Sequence, residues 1–292
     1  MLPKPVESAF FEVIEKHFDE VTISRVNPCS GGCINNSFHV DTPYGTFFLK
    51  YNRSSRFPGM FEKEAMGLEI LEKAGQLRVP RVYGSAEVED QTVLVLENIE
   101  EGSPGGNFWE DFGKGLARLH KTYGKRFGLN HDNYIGSLHQ MNQQADNWID
   151  FFVEQRLEAQ LKLARDSGKA GPELGRFFQG LYPYLPDFFP EEPPSLLHGD
   201  LWSGNYMTAN DGNPVIIDPA VYHGHRYMDL GMSKLFGGFD FHFYQAYHEE
   251  YPLEKGWEKS MDIANLYPLM VHVNLFGGGY LGSVKSILRK FG

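Results

Sequence analysis

The sequence is poor in cysteine, in long apolar runs and in positive charge. Two cysteines among 292 residues exclude a fold held together by disulfides and suit a reducing compartment. No apolar run approaches the ~18–20 residues of a membrane span, and the N-terminus lacks the apolar segment of a secretion signal. Acidic residues outnumber basic ones by 38 to 27, a net charge of −11, which argues against general nucleic-acid binding. We therefore expect a cytoplasmic protein with neither a membrane nor a nucleic-acid partner.

Internal repeats and low-complexity tracts are also absent, and the bulk composition is that of an ordinary globular chain. Hydrophobic residues make up 41% of the sequence and charged residues 22%. A length of 292 residues allows one large or two ordinary domains with a substantial core. The function is therefore to be sought in local motifs.

The most informative segment of the chain runs from Leu197 to Asn205. Asp200 and Asn205 have the spacing of a kinase catalytic loop, in which the Asp accepts the proton of the attacking hydroxyl and the Asn holds a metal ion. Asp218 follows the β-branched run 215–217, so we place it at a strand end, where a second metal-binding Asp belongs. Chance Asp and Asn residues in a surface loop are the alternative, which the agreement of spacing, order and strand disfavours.

Strand patterns and two helix patterns share the first third of the chain. They predict a helix over 8–18, strands over 21–27, 37–40, 46–51, 82–83 and 92–96, and a helix over 60–74 that ends at Gly75. The segment Gly102-Ser103-Pro104-Gly105-Gly106 is the best linker in the chain. We therefore expect a nucleotide-binding lobe over residues 1–99, with a small antiparallel sheet and one helix beside it.

The remaining two thirds are mostly helical. The periodicity predicts helices over 108–120, 147–165, 172–182, 266–276 and 283–290, and strands over 195–197 and 215–217. Residues 100–292 are therefore predicted to form a larger, mainly helical lobe that carries the catalytic loop and the acceptor site. The predicted fold class is α+β, with the two-lobed architecture of protein kinases.

Lys50 lies on a predicted strand that follows a Gly-rich segment, as the kinase pattern requires. Gly31 and Gly32 would let the backbone approach phosphates closely, although a Gly-Gly pair is more often a simple hairpin turn. The apolar neighbours 47–49 favour a phosphate-binding role for Lys50 over that of a solvated lysine. Such a lysine needs a carboxylate partner on the next helix, where Glu64 is preferred and Glu62 is the alternative.

The sequence Asp111-Phe112-Gly113 matches the kinase metal-binding motif, but its position in the chain does not fit that motif. It lies in a helical pattern, before the catalytic loop and after no strand. We interpret it as part of a helix and assign the metal-binding role to Asp218. His223 and His225 suggest zinc only weakly, because no further ligands at zinc-site spacing accompany them.

Cys29 and Cys33 flank the Gly-rich segment. The simpler interpretation is two small, inert residues in a tight turn. Backbone N–H groups that attract phosphate would also favour a thiolate, so oxidation could join the pair within the loop or link two chains. We therefore expect a monomer, or a redox-linked dimer under oxidant.

These residues together resemble the fructosamine kinase (ketosamine-3-kinase) family, a branch of the aminoglycoside- and choline-kinase-like phosphotransferases. The resemblance runs from about Gly31 to Phe236. Its marks are His198-Gly199-Asp200-Leu201-Trp202-Ser203-Gly204-Asn205, Asp218-Pro219-Ala220-Val221-Tyr222, Arg226, Asp229-Leu230, Asn133-Tyr134-Ile135-Gly136-Ser137, Trp148, Phe151-Phe152, Arg156-Leu157 and Met60-Phe61-Glu62-Lys63-Glu64. Two positions depart from the family pattern: His225 and Tyr227 stand where acidic residues are usual.

The resemblance implies ATP-dependent phosphorylation of the 3-hydroxyl of a ketoamine, the sugar adduct of a glycated small amine or protein amine. The phosphorylated adduct is labile, so the amine is released. The implied cofactors are ATP and Mg²⁺. The implied site residues are Asp200 as base, Asn205 and Asp218 for Mg²⁺, Lys50 with Glu64, Gly31 and Gly32 for the phosphates, the backbone of Glu97, Asn98 and Ile99 for adenine, and Trp202 and Tyr222 for stacking on the sugar. Core packing is an equally good explanation of Trp202.

Two other functions remain open at this point. The first is a kinase of another small hydroxyl compound, such as an aminoglycoside or choline. The second is a non-catalytic nucleotide-binding protein, which the presence of Lys50, Asp200, Asn205 and Asp218 together disfavours.

Overall fold

The computed structural model describes residues 1–29 and 35–291. The chain divides into two compact units, Met1–Phe108 with Met207–Asp218, and Trp109–Tyr206 with Pro219–Gly292. The predicted boundary between residues 99 and 100 falls inside the first unit and stays a prediction. Each helix in the described ranges is too short or too polar to cross a membrane.

An antiparallel sheet of five strands, in the order β1-β2-β3-β5-β4, dominates the described part of the first unit. Its strands are β1 Arg25–Pro28, β2 Asn36–Thr42, β3 Gly45–Arg53, β4 Val82–Val88 and β5 Gln91–Glu97. Side chains alternate across β3: Phe47 and Leu49 enter the main core of this unit, so Lys50 points to the opposite face. The alternation thus separates the charged side chain of Lys50 from the apolar core.

Two helices accompany this sheet, and both correspond to helix patterns in the sequence. Helix α1, Lys4–Ile14, buries Phe10 and Ile14 in the core together with Phe47 and Leu49. It begins earlier than predicted because a proline is tolerated in the first helical turn, where its missing N–H costs nothing. Helix α2, Met60–Ala74, ends as predicted at Gly75, which adopts the left-handed conformation of a C-cap.

The second unit is mainly helical, as predicted. Its helices are α3 Phe108–His120, α4 Trp148–Phe151, α5 Ala159–Asp166, α6 Pro172–Leu181, α7 Tyr227–Lys234, α8 Phe241–Glu250, α9 Glu258–Ala264, α10 Leu266–Phe276 and α11 Gly279–Leu288. A π-helical segment, Phe152–Glu158, interrupts the long helix predicted over 147–165. Short strand pairs complete the chain: β6 Asn133–Ile135 with β7 Leu138–Gln140, β8 Ser195–Leu197 with β11 Tyr222–Gly224, and β9 Tyr206–Thr208 with β10 Pro214–Ile216.

The Asp111-Phe112-Gly113 triplet lies within α3 and serves helix packing. Asp111 is exposed, whereas Phe112 is fully buried and meets the ring of Phe243 edge-on at 5.2 Å. A Cβ atom on Gly113 would lie 2.2 Å from the carbonyl oxygen of Phe243. Glycine therefore allows α3 to approach α8 closely at this point.

A buried ion pair fixes the start of α7. The Arg226 guanidinium donates to both carboxylate oxygens of Glu192, at 2.6–3.0 Å, and lies over the ring of Tyr251 at 3.7 Å. Next to it, His225 is fully buried; its Nε2 lies 3.1 Å from the Pro190 carbonyl and its Nδ1 accepts from the Tyr227 N–H. Both ring nitrogens are used by the neutral imidazole, and burial, with the charge of Arg226, lowers the pKa of His225 to about 3.

Replacing Gly113 by alanine is expected to destabilise the protein. Alanine favours a helix over glycine by about 1 kcal/mol. The clash with the Phe243 carbonyl involves backbone atoms of two packed helices, and overpacking of this kind costs about 1–3 kcal/mol. Urea unfolding should therefore show a lower midpoint for Gly113→Ala. Gly106→Ala, whose added Cβ meets nothing within 4 Å, is the control and should be close to wild type. A Gly113→Ala variant as stable as the control would contradict the close approach.

The neutral His225 predicts a pH-dependent loss of stability. In the unfolded chain this histidine takes up a proton near pH 6.5, while in the folded protein it stays neutral down to about pH 3. The unfolded state therefore binds more protons below pH 6.5, and stability falls as the pH falls through this window. Between pH 7 and pH 5 this residue should cost about 2 kcal/mol. Urea titrations at both pH values should show a loss smaller by about that amount in His225→Gln; an equal loss would rule the effect out.

Candidate functional site

Lys50, Glu64 and Asp218 form a charged cluster in the first unit. Lys50 Nζ donates to Glu64 Oε1 at 2.7 Å and to Asp218 Oδ1 at 2.5 Å. The lysine side chain is only 5% exposed, and Glu64 is buried nearly as deeply at 12%. Glu62, the alternative partner on α2, faces solvent. The structure thus pairs Lys50 with the preferred glutamate.

The two carboxylates keep the buried Lys50 charged. Burial alone would lower the pKa of Lys50, but the negative charges of Asp218 and Glu64 outweigh it and raise that pKa. Burial also raises the pKa of Glu64, against the opposing charge of Lys50. A charged ammonium held in place by a carboxylate is the form that a phosphate-binding lysine requires.

Asp218 lies just beyond β10 in a strained conformation. Its φ angle of 54° is in the left-handed region, which a residue with a side chain rarely adopts. Such strain is typical of functional sites, where surrounding contacts enforce it. The side chain is 47% exposed although Oδ1 accepts from Lys50, so carboxylate surface remains for a cation. Carboxylate oxygen is a ligand that Mg²⁺ prefers.

The segment predicted to contact adenine follows β5. The N–H of Glu97 donates to the carbonyl of Arg81 at 2.8 Å, and its carboxylate accepts from the Arg81 N–H. Asn98 Oδ1 lies 2.6 Å from Nδ1 of His39, and Ile99 is buried. The Glu97 N–H is thus occupied within the protein, and the adenine-binding role of this segment stays a prediction. His39 is a neighbour that the sequence analysis did not identify.

The predicted phosphate-binding glycines, Gly31 and Gly32, lie outside the described residues, as does Cys33. Cys29 is described: its N–H donates to the Ser37 carbonyl at 2.9 Å. Burial raises the pKa of the Cys29 thiol and outweighs a hydrogen bond from the backbone of His39. This direction is opposite to the one that the thiolate hypothesis expected, and the redox role of Cys29 and Cys33 stays a prediction.

The catalytic loop follows β8 in the second unit and closes on itself. Asn205 Nδ2 donates to the Asp200 carbonyl at 2.8 Å and to Asp200 Oδ2 at 2.9 Å. Both bonds use the amide nitrogen of Asn205, so its amide oxygen is left for a cation. An amide oxygen is a kind of ligand that suits Mg²⁺.

A buried carboxylate, Asp229, holds the start of the catalytic loop. It accepts from the N–H of His198 at 2.8 Å, from the N–H of Gly199 at 2.9 Å and from Nε2 of His120 at 3.1 Å. Burial alone would raise the pKa of Asp229, but these hydrogen bonds and charges lower it. Gly199 has φ +85°, and a Cβ there would lie 2.1 Å from the Ala220 carbonyl oxygen. The loop therefore admits only glycine at this position.

Trp202 and Tyr222 have different surroundings. Trp202 is half-buried, and its ring lies 6.0 Å from that of Phe236. Tyr222 is fully buried, stacks with Phe151 at 5.8 Å and lies 4.0 Å from the guanidinium of Arg156. This burial favours packing over sugar stacking at Tyr222, whereas Trp202 keeps an accessible surface.

A small pocket opens beside Asp200 within the second unit. Its lining is mainly apolar and consists of Ile135, Gly199, Asp200, Met228, Met232, Tyr267, Pro268, Val271 and His272. The carboxylate of Asp200 is the charged group of this wall. A carboxylate at the edge of such a recess is placed to accept a proton from a hydroxyl group that approaches it.

A buried polar network behind this pocket was missed by the sequence analysis. Tyr267 donates its hydroxyl to Gln140 at 2.6 Å, and Gln140 and Asn142 both donate to Asn133. Arg156, fully buried in the π-helical segment, donates to Asn142 at 2.8 Å. The guanidinium of Arg156 lies over the ring of Tyr222. Among the described residues, no carboxylate lies within ion-pair distance of it. Asn133 and Arg156 were among the marks of the family resemblance, but the sequence indicated no contact between them.

No group of three or more His, Cys, Asp or Glu side chains is arranged to hold a metal ion within residues 1–29 and 35–291. His225 is bonded to a backbone carbonyl, and burial lowers the pKa of His223. The metal-binding roles of Asn205 and Asp218 stay predictions.

Comparison with known proteins gives a consistent result. A family model described as fructosamine kinase matches residues 7–291. A probable ketoamine kinase from Synechocystis sp. is 37% identical over 289 residues, which cover 99% of this chain and 97% of the relative. The chloroplastic protein-ribulosamine 3-kinase of Arabidopsis thaliana is 42% identical over 275 residues, covering 92% of this chain and 83% of the relative.

Solved structures agree with the fold. The crystal structure of a fructosamine-3-kinase candidate from Haemophilus somnus has a TM-score of 0.90 at 27% identity, covering 99% of this chain and 98% of that one. A ternary complex of an aminoglycoside phosphotransferase mutant, APH(4)-Ia, with AMP-PNP and hygromycin B has a TM-score of 0.62 at 16% identity, covering 95% and 97%. The second likeness shows the fold alone, and the predicted α+β kinase-like fold is confirmed.

The metal-binding assignment predicts which acidic residue matters. Asp218→Ala and Asn205→Ala should each raise the Mg²⁺ concentration for half-maximal phosphate transfer by at least about 10- to 100-fold, because loss of a residue that only supports a metal ligand already has an effect of this size. Asp111→Ala, on the exposed face of α3, should leave the Mg²⁺ dependence unchanged.

The measurement is a magnesium titration of the reaction rate at saturating nucleotide. Thermal melting of each variant identifies any that has lost its fold, because Asp218 also neutralises the buried Lys50. A folded Asp111→Ala protein without activity, beside a fully active Asp218→Ala protein, would reverse the assignment.

Proposed function

Because the chain belongs to the fructosamine kinase family, we propose that it transfers the γ-phosphoryl group of ATP to the 3-hydroxyl of a ketoamine. The resemblance predicted from the sequence is confirmed, and with it the class of enzyme, a phosphotransferase. The observation that carries the proposal is the match over residues 7–291, which contains all the described residues of the candidate site. The names of the relatives favour a ketoamine over choline or an aminoglycoside.

The described residues supply the groups that such a transfer needs. The Asp200 carboxylate accepts the proton of the sugar hydroxyl while the hydroxyl oxygen forms a bond to the γ-phosphorus and ADP leaves. Asn205 holds the Asp200 carboxylate at 2.9 Å and so fixes its orientation. Transfer of this kind depends mainly on positioning and on charge stabilisation, because the protein makes no covalent bond to the phosphoryl group.

Charge stabilisation comes from Lys50 and from a bound cation. Lys50, kept charged by Glu64 and Asp218, is placed to bind nucleotide phosphates. Mg²⁺, when bound by Asn205 and Asp218, offsets the negative charge of the phosphates. ATP as the phosphate donor is supported by the family to which the chain belongs.

The acceptor is proposed to bind at the mouth of the pocket beside Asp200. Its apolar walls, Met228, Met232 and Val271, lack the ring of carboxylates that a polycation such as an aminoglycoside would favour. One carboxylate, that of Asp200, is enough to meet a single hydroxyl group of a sugar. The phosphorylated ketoamine then releases its amine, so the reaction reverses glycation of a small amine or of a protein amine.

A substrate panel tests the reaction. The purified protein should consume ATP with a synthetic fructosyl or ribulosyl amine and not with choline or kanamycin, measured as ADP formation with ³¹P NMR of the product. Phosphate at the sugar 3-position is the expected product. Turnover of choline or kanamycin with no turnover of either ketoamine would exclude the proposed acceptor while keeping the kinase.

The base is tested by Asp200→Asn, which keeps the shape of the side chain and removes the proton acceptor. The loss of a general base typically lowers the rate ~10²–10⁴-fold. We expect kcat to fall in this range while the dissociation constant for ATP changes little, since Asp200 faces the acceptor pocket. Glu62→Gln, an exposed change on α2, is the control. Near-normal turnover in a folded Asp200→Asn protein would remove Asp200 from the catalytic role.

A further inference from the structure

Four aromatic side chains form a partly exposed platform at one side of the second unit. The aromatic platform consists of Phe236, His272, Phe276 and Tyr280, with His272 at its centre. The rings of Phe236, Tyr280 and Phe276 lie 4.8, 5.0 and 5.6 Å from the His272 ring. Phe276 is 58% exposed and Phe236 is 39% exposed. Large apolar rings at this exposure form a patch that is available for binding.

The backbone at Phe236 is strained. Its φ and ψ angles of 60° and 37° lie in the left-handed region, which is unfavourable by roughly 1–2 kcal/mol for a residue with a side chain. The next two residues, Gly237 and Gly238, also have positive φ angles. Strain that exposes a phenyl ring is not explained by core packing, and strain of this kind is typical of ligand-binding segments.

The aromatic platform is continuous with the acceptor pocket. His272 lines that pocket together with Asp200, and it also contacts the other three rings of the platform. Trp202 extends the surface from the catalytic loop, because its ring lies 6.0 Å from that of Phe236. A molecule with its hydroxyl at Asp200 can therefore extend over these rings.

We propose that the aromatic platform binds the amine portion of the ketoamine and selects adducts of aromatic amines over those of short aliphatic amines. This inference rests on the function proposed above. The sugar must lie at the mouth of the pocket so that its hydroxyl meets Asp200, and the amine substituent then projects outward. The aromatic platform beside the pocket is the surface that the amine substituent meets first.

The chemistry of the aromatic platform indicates which amines it favours. Phe236, Phe276 and Tyr280 carry no charge, and burial lowers the pKa of His272, whose Nδ1 lies 2.7 Å from the Pro268 carbonyl. The platform thus offers neither a cation for a carboxylate nor an anion for an ammonium group. Aromatic rings attract other rings by about 0.5–1.5 kcal/mol beyond the burial of area, which corresponds to about two- to tenfold in affinity.

The experiment compares three ketoamines with the same sugar and different amines: the fructosyl adducts of benzylamine, cyclohexylmethylamine and ethylamine. The kcat/KM of each is measured with saturating ATP and Mg²⁺. The wild-type protein should prefer the benzylamine adduct to the ethylamine adduct by about two- to tenfold. The cyclohexylmethylamine adduct, of similar size, should fall between them if ring stacking adds to simple burial.

Variants of the platform test the residues. Phe276→Ala and Phe236→Gly should lower the benzylamine to ethylamine ratio toward one, mainly through KM; the glycine also relieves the strained backbone. Phe241→Ala removes an exposed phenyl ring, 71% accessible, that makes no contact with the platform rings. This control should keep the wild-type ratio and activity.

The outcomes separate this inference from the proposed function. Turnover of all three adducts without preference, or an unchanged ratio in both platform variants, overturns the inference and leaves the ketoamine kinase intact. Turnover of no ketoamine overturns both. If the platform instead covers a second copy of the chain, sedimentation shows a wild-type dimer that Phe276→Ala dissociates while the ratio stays constant, and this result also overturns the inference.

Discussion

The buried ammonium group of Lys50 is the constraint on which the first unit depends. Placing a charge in the interior costs several kcal/mol unless opposite charges accompany it. Here the compensation comes from two distant parts of the chain, Glu64 on α2 and Asp218 after β10. The sheet, the helix and the later strand pair must therefore assemble together before the lysine is stable. The same cluster keeps Lys50 charged and in place, which is what a nucleotide phosphate requires.

The second unit also depends on a buried charge, which there is negative. The buried carboxylate of Asp229 is compensated by two backbone N–H groups and by His120, and those N–H groups belong to His198 and Gly199 at the start of the catalytic loop. Because Asp229 can be buried only with these partners, the loop is fixed beside it. The carboxylate of Asp229 takes no part in the proposed chemistry, but it thereby holds Asp200 beside its pocket.

Local patterns predicted what local interactions determine. Helix α2 with its Gly75 cap and the alternation that turns Lys50 away from the core follow from nearby residues. The packing roles of Phe112 and Gly113 depend on α8, and the burial of Tyr222 depends on Arg156, so neither contact was visible in the sequence. Long-range polar contacts of this kind have no periodicity. The functional motif was recognisable because its spacing is set by chemistry, whereas its supporting residues are set by tertiary packing.

The placement of apolar and polar side chains around Asp200 divides recognition into two parts. The pocket itself is small, so it can discriminate the sugar but contacts little of a larger adduct. Binding energy for the remainder must come from outside it, and the rings around His272 are the adjoining apolar surface. Contacts remote from the reacting hydroxyl favour substrate and transition state alike, so they act on KM more than on kcat. An enzyme built this way can accept many amines with one catalytic loop, and the exposed rings set their order of preference.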